Sequence, residues 1–239
     1  MIKLNVFSDC HGSLPVIKEE FDLLLIAGDI TPATWYHSKS KIFQREWLME
    51  DFKLWLDNLP YRTANSKVIV VPGNHDCVFE DMSITERIEL SSSLGSRFEL
   101  LIHEKTTFTN VSDAGNIVQL QIFGTPYCKR FGKWSFMEDN DVLEKLYNEI
   151  PEGLDILITH DPPTLNKLGT ITQGYQEGKD AGNEILSKRI LEIKPKYVFS
   201  GHIHSGNHKL EEYEGVIMAN VAYVDEYYCA TNKVLKIEI

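Results

Sequence analysis

Five short polar blocks constrain this 239-residue chain more than any other feature, because each follows an apolar run and each carries side chains able to hold a metal. The blocks are Ser8-Asp9-Cys10-His11-Gly12, Gly28-Asp29, Gly73-Asn74-His75-Asp76, Thr159-His160-Asp161 and Gly201-His202-Ile203-His204. They end the runs at residues 2–7, 23–27, 68–71, 156–158 and 197–199, which read as buried sheet strands bounded by Gly and Pro. Open α/β sheets gather ligands at the carboxyl ends of their strands. Asp9, His11, Asp29, Asn74, His160, His202 and His204 together suit two divalent cations that share a bridging carboxylate. Asp9 and His11 stand two apart, so in an extended segment both face one side and reach one ion. His202 and His204 repeat that spacing, although one loop residue between them can send them to different ions. The carboxylate of Asp29 has two oxygens able to bridge. Cys10 points the other way and reads as packing. A lone Asp after a strand is usually a turn former; it is the coincidence at five strand ends that argues for a site.

Bulk properties bound the rest. At this length one domain over residues 1–239 with a sizeable core is the expectation. No apolar run approaches the roughly 20 residues needed to span a bilayer. The first strand begins at Ile2, which leaves no room for a signal segment. Cys10, Cys77, Cys128 and Cys229 are scattered without a CxxC pair, so free thiols and a cytoplasmic location are expected. The net charge of −11 disfavours extended nucleic acid and anionic membranes as partners. Two divalent cations against two carboxylates would nevertheless make the pocket locally positive, which favours a small phosphate-bearing substrate.

Helical spacing runs over residues 41–59 and is stopped by Pro60; further helices are expected over 139–149 and 182–193. Strands alternating with helices imply βαβ units in the first two thirds. Short antiparallel strands are expected at 209–212, 215–220 and 234–239. The fold class is therefore α/β (α+β), with mixed sheets flanked by helices.

The five blocks resemble, in order and across nearly the whole chain, the signature of calcineurin-like metallophosphoesterases. That resemblance implies an αββα sandwich of two mixed β-sheets. It implies that Asp9, His11, Asp29 and His204 hold a first metal, and Asp29, Asn74, His160 and His202 a second. His75 would face the substrate, with Asp76 orienting it. Oxygen and imidazole donors without thiolate admit Mn, Fe, Zn, Co, Ni or Mg, with Mn²⁺ the expected ion. Trp55-Leu56-Asp57-Asn58-Leu59-Pro60, Ile122-Phe123-Gly124-Thr125-Pro126, Ile150-Pro151-Glu152-Gly153-Leu154-Asp155-Ile156-Leu157 and Thr159-His160-Asp161-Pro162-Pro163 resemble the small metallophosphoesterase-domain-containing branch, whose microbial relatives act on cyclic nucleotides. Some animal members carry Gly at the place of His202, which is intact here. The branch usually has Gly at the place of Asp161, whose carboxylate could support His160 or repel an anionic substrate.

The expected reaction is in-line attack on phosphorus by a hydroxide held between the metals, with His75 assisting the leaving group. Cyclic nucleotides are the expected substrates among small phosphodiesters. Alternatives are a phosphomonoesterase, a nuclease of the same superfamily, or a catalytically weak binding scaffold like the retromer subunit. Protein phosphatases carry Asp-Arg-Gly after the Gly-Asp block, whereas Ile30-Thr31-Pro32 follows here. The nucleases usually have extra domains and basic surfaces, and scaffolds lose ligands; neither mark is present. In the segment Tyr127-Cys128-Lys129-Arg130-Phe131-Gly132-Lys133-Trp134-Ser135-Phe136, Tyr127, Phe131 and Trp134 could stack a base, while Phe136 reads as packing. His37, His103 and His208 lie outside the pattern and read as structural or surface residues.

Overall fold

Period-2 burial decides the architecture. In β1 (Lys3–Phe7), Leu4 and Val6 face one core while Phe7 faces another. In β2 (Leu23–Ala27) and β3 (Lys67–Val71), Leu23, Leu25, Ala27, Ile69 and Val71 face the first core, and Leu24, Ile26, Val68 and Val70 the second. A strand buried on both faces needs a layer on each side, and that is how parallel sheets read. The computed structural model describes residues 1–33, 40–111 and 115–239; His37 lies outside them.

β1, β2, β3 and β4 (Phe98–Leu100) are parallel neighbours. The second sheet runs β11 (Glu211–Tyr213), β12 (Val216–Asn220), β10 (Tyr197–Ser200), β9 (Ile156–Thr159), β6 (Ile117–Thr125) and β5 (Glu104–Val111), with a parallel centre and antiparallel edges. The two sheets bury Ile2, Leu4, Leu25 and Val71 of one against Phe108, Ile122, Ile158 and Phe199 of the other. β7 (Cys128–Lys129) and β8 (Met137–Glu138) form a small separate ribbon.

Outside the first sheet lie α1 (Lys41–Trp47), a π-helical turn at Leu48–Phe52, α2 (Lys53–Asp57) and α3 (Ile84–Leu94). The helix expected over 41–59 is thus one helical run with a π-bulge, capped by Ser40. Outside the second sheet lie α4 (Asn140–Asn148) and α5 (Glu184–Ile193), which contribute Leu143, Tyr147, Leu186 and Ile190. Helix, sheet, sheet, helix is the expected αββα arrangement.

Three expectations need correction. No helix joins β1 to β2, although they are parallel neighbours, because residues 8–22 cross as loop. β11 and β12 pair as the expected hairpin, but β13 (Leu235–Glu238) leaves them and pairs antiparallel with β1 at the edge of the first sheet. α3 was not foreseen, although Ser83 and Glu86 form a reciprocal capping box at its start. Among the described residues no helix is long and apolar enough to cross a membrane.

Candidate metal centre

The carboxyl ends of both sheets meet at one rim. Ser8, just past β1, bridges in parallel to Ala222, just past β12, and its N–H donates to Val221 O at 2.9 Å. The loops after β1, β2, β3, β9 and β10 therefore open into one space. Their backbone is not extended: Asp9 (φ 49°), His11 (φ 44°), Asp29 (φ 52°) and His202 (φ 67°) are all left-handed. Left-handed non-glycine residues are uncommon and gather at functional sites. Asp9 and His11 thus converge through two kinks rather than through the alternation of a strand.

All seven expected ligands come together. His11 Nε2 lies 3.2 Å from His204 Nε2 and 3.7 Å from Asp29 Oδ2. His204 Nε2 lies 3.5 Å from Asp9 Oδ1. On the other side, His160 Nε2 is 3.5 Å from Asp29 Oδ2 and 2.9 Å from Asn74 Oδ1. The His202 ring sits 5.0 Å from that of His160, so His202 and His204 do part to different halves. Asp29 Oδ2 stands between the halves, while Oδ1 accepts the His75 N–H at 2.7 Å.

These donors fit a pair of cations. His160 Nδ1 donates to Ala27 O at 3.0 Å, and His204 Nδ1 donates to Asp225 O at 2.9 Å. In the neutral rings each Nε2 lone pair then points inward, one at the amide oxygen of Asn74 and the other at a second imidazole nitrogen. At His160 this sets a lone pair against an amide oxygen, which is stable only with a proton or cation between them, and this backbone tether is the usual support of a metal-binding histidine. Electrostatics agree. Burial opposes charge on His160, yet Asp29 pulls it up to about 10; burial opposes charge on His204, yet Asp9 pulls it up to about 9. Burial would raise the Asp29 carboxyl, but His160 and then His75 hold it well below its ordinary value. A cation would displace those protons and occupy the same field.

Glycine makes room for this density. A Cβ on Gly73 would fall 2.2 Å from Asp29 Oδ1 and 2.4 Å from Asp29 N; one on Gly201 would fall 2.2 Å from Asp9 Oδ2.

The surrounding residues sort less simply. His75 is half-buried at the mouth, its ring 5.0 Å from His11 and 4.3 Å from Trp134. Its Nδ1 has no hydrogen-bond partner. Asp76 does not orient that ring. Its carboxylate accepts from Gly73 N (2.8 Å), Ile30 N (3.2 Å), Thr31 N (2.9 Å) and Thr31 Oγ1 (2.8 Å), lacing the loop after β2 to the loop after β3. Buried Gln44 of α1, which the sequence did not single out, donates to His75 O at 2.7 Å and accepts from Val78 N at 2.9 Å. Asp161 is buried and raised to about 6 by that burial. It accepts from Asn183 Nδ2 (2.7 Å), Lys129 N (3.0 Å) and Tyr147 Oη (3.5 Å). It therefore anchors β7 to the start of α5.

A cleft of about 820 Å³ opens over the centre, walled by Phe131, Trp134, Lys129, Arg130, Lys179 and Tyr228 as well as by ligand residues. Phe131 lies 5.3 Å from the His202 ring. Tyr127 is not in the wall: it packs against Phe136 and His103. Phe136 is buried in the core, as expected. Cys10 packs there too, and all four cysteines are free. His103 meets Thr125 at 3.0 Å, and His208 braces the carbonyl of His204 at 2.9 Å, so both are structural.

A two-sheet sandwich with Asp, Asn and His converging at one strand-end rim has the architecture of the metallophosphoesterase fold. The chain belongs to the calcineurin-like phosphoesterase family, whose sequence model matches residues 2–206, and that family implies a dinuclear divalent metal centre. It is similar to metallophosphoesterase domain-containing protein 1 of Homo sapiens, 27% identical over 237 residues covering 94% of this chain and 65% of the relative. It is also similar to a UPF0046 protein of Caenorhabditis elegans, 29% identical over 202 residues covering 77% of this chain and 46% of the relative. The chain thus spans about half to two thirds of the length of these relatives. In fold it resembles the phosphopantetheinyl hydrolase of Mycobacterium tuberculosis, with a TM-score of 0.53 at 14% identity over 95% of this chain and 90% of the other.

Proposed function

We propose that this protein hydrolyses small phosphodiesters, cyclic nucleotides first among them, with Asp9, His11, Asp29 and His204 holding one divalent cation and Asp29, Asn74, His160 and His202 a second, Mn²⁺ being the ion to try first. The observation that carries this reading is the pair of rings at the mouth: Trp134 beside His75 and Phe131 beside His202. They offer flat faces to a base next to the place where a phosphate would sit. Lys129 and Arg130 on the same wall favour its charge. A cleft of this size in a chain of net charge −11 suits a small ester better than a long polyanion.

Bound cations would supply Lewis acidity toward the phosphoryl oxygens and a lowered pKa for water. The chain's own residues do the rest. Asp29 and Asp9 hold the donors in register, and Gly73 and Gly201 let those carboxylates lie against backbone. His75 faces the leaving oxygen from the rim and hands it a proton. Trp134 holds the His75 ring by contact and Gln44 holds its backbone carbonyl, so the proton donor is placed without help from Asp76.

His75→Ala is expected to keep both metals and to lose turnover by roughly 10²–10⁴-fold, the usual worth of general acid catalysis. Metal content by mass spectrometry beside kcat for bis-p-nitrophenyl phosphate checks this; unchanged kcat would take His75 out of the role. Replacing Phe131 and Trp134 by Ala is expected to raise KM for cyclic nucleotides about 10-fold, from a stacking worth of roughly 1–3 kcal/mol per base, and to change KM for nitrophenyl esters less. Equal changes on both substrates would reduce the two rings to scaffolding.

A further inference from the structure

One aromatic at the cleft belongs neither to the five blocks nor to the aromatic segment at residues 127–136. Tyr228 lies 24 residues beyond His204, on a tight turn closed by an antiparallel bridge between Val224 and Ala230. Its ring packs edge-on against two expected ligands of the first half-site, 4.7 Å from His11 and 5.3 Å from His204. It also forms part of the cleft wall and is 47% exposed, so one side rests on the imidazoles and the other meets the substrate space.

The backbone at Tyr228 is left-handed (φ 61°), a conformation that costs a bulky residue free energy and persists only where its surroundings impose it. Here they do so twice. Asp225 O accepts from Tyr228 N at 2.9 Å and from His204 Nδ1 at 2.9 Å, so one carbonyl fixes both the turn and a ligand. The Asp225 carboxylate accepts from Tyr227 N and Cys229 N, each at 2.9 Å. Next to it, Glu226 Oε1 accepts from Ser205 N (3.1 Å) and Ser205 Oγ (2.7 Å), tying the turn to the residue after His204. The turn is locked to the ligand loop on both sides. A structural role alone would be met by any apolar ring over His11 and His204. What Tyr adds is a hydroxyl, and Phe131 and Trp134 line the other walls without one. A phenol ordinarily titrates near about 10, so at neutral pH it carries its proton and can donate.

We infer that Tyr228 is a substrate contact of this site, donating its phenol O–H to a phosphoryl oxygen of the bound ester. The inference rests on the phosphoester reading above. It makes Tyr228 the hydrogen-bond donor on the His11/His204 side of the cleft.

The test is Tyr228→Phe in the manganese-loaded full chain, read by two measurements. One is kcat/KM for bis-p-nitrophenyl phosphate and for a cyclic nucleotide; the other is orthophosphate binding by calorimetry, which needs no turnover. Because the ring is kept, metal content and Tm are expected to stay at wild-type values. The lost donor is expected to lower kcat/KM on both esters roughly 10- to 100-fold and to raise the phosphate Kd about 10-fold, the size of one hydrogen bond to a charged group. Wild-type values of both quantities in the variant would overturn the inference, as would phosphate binding by neither protein. A wild-type chain that binds phosphate and hydrolyses nothing, with the Kd shift still present in the variant, would uphold Tyr228 and refute the hydrolase reading.

Discussion

Asp29→Ala is expected to abolish turnover and to empty the centre. The expected loss in kcat is at least about 10³-fold, because groups that act as one unit fail together. Metal content is expected to fall below one ion per chain. Three observations set this size. Asp29 Oδ2 stands 3.7 Å from His11 Nε2 and 3.5 Å from His160 Nε2, between the halves, so its loss strips both. Oδ1 accepts the His75 N–H, so the residue expected to serve the leaving group loses its backbone anchor in the same change. And Asp29 is the main source of the field that pulls His160 up to about 10. Without it, the smaller pull of Asp9 is left to favour positive charge on His160. His75→Ala removes one proton donor and leaves the donor set whole. The two variants should therefore separate in metal content as well as in rate, and equal metal content in both would contradict the bridging role.

Gly73→Ala is expected to do nearly as much damage by a single methyl group. The added Cβ would lie 2.2 Å from Asp29 Oδ1 and 2.4 Å from the Asp29 backbone nitrogen. The carboxylate could rotate only by giving up the His75 N–H, and the backbone nitrogen cannot move without the turn after β2. That turn is held by the Asp76 carboxylate, which also accepts from Gly73 itself. Overpacking of this kind typically costs about 1–3 kcal/mol, so Tm should fall by several degrees while the fold survives. Turnover and metal content should fall much further than that stability loss explains. A variant with lowered Tm but full metal content and normal kcat would mean that the cradle tolerates displacement. Gly153→Ala, whose Cβ would meet nothing within 4 Å but whose φ of 73° strains any other residue, is the control for a stability loss far from the centre and should leave metal content unchanged.

The seven candidate ligand residues were legible because their signal is local. An apolar run followed by Asp, Asn or His says both where a strand ends and what it carries: β1, β2 and β3 close where those runs do, and β9 and β10 one residue later. The unbroken apolar runs read as buried strands, and the family resemblance implied the two-sheet sandwich. What escaped was set by distant partners. β13 looks like one more hairpin strand, yet it pairs with β1 some 230 residues earlier, as in Leu4 opposite Ile237. The strands β5 and β6 are rich in Thr, Gln and Asn and half exposed, so their hydrophobic signal is thin. The left-handed backbones of Asp9, His11 and Asp29 cannot be read from residue type, because only the packed rim imposes them. Asp76 was placed beside His75 by adjacency, and its carboxylate turned instead toward Ile30, Thr31 and Gly73, where three buried N–H groups needed an acceptor. Gln44 and Tyr228 left no local mark: a polar residue on the buried side of an amphipathic helix, and a tyrosine in an ordinary turn. The first could have been suspected, since a buried Gln requires partners.

The most direct test is to titrate chelator-treated protein with Mn²⁺ while following hydrolysis of 3′,5′-cyclic nucleotides and bis-p-nitrophenyl phosphate. The ligand set predicts no activity without metal and a rise that reaches its plateau at two equivalents per chain. A chain that binds two equivalents and cleaves neither these diesters nor p-nitrophenyl phosphate would contradict the account, and so would full activity in protein freed of metal.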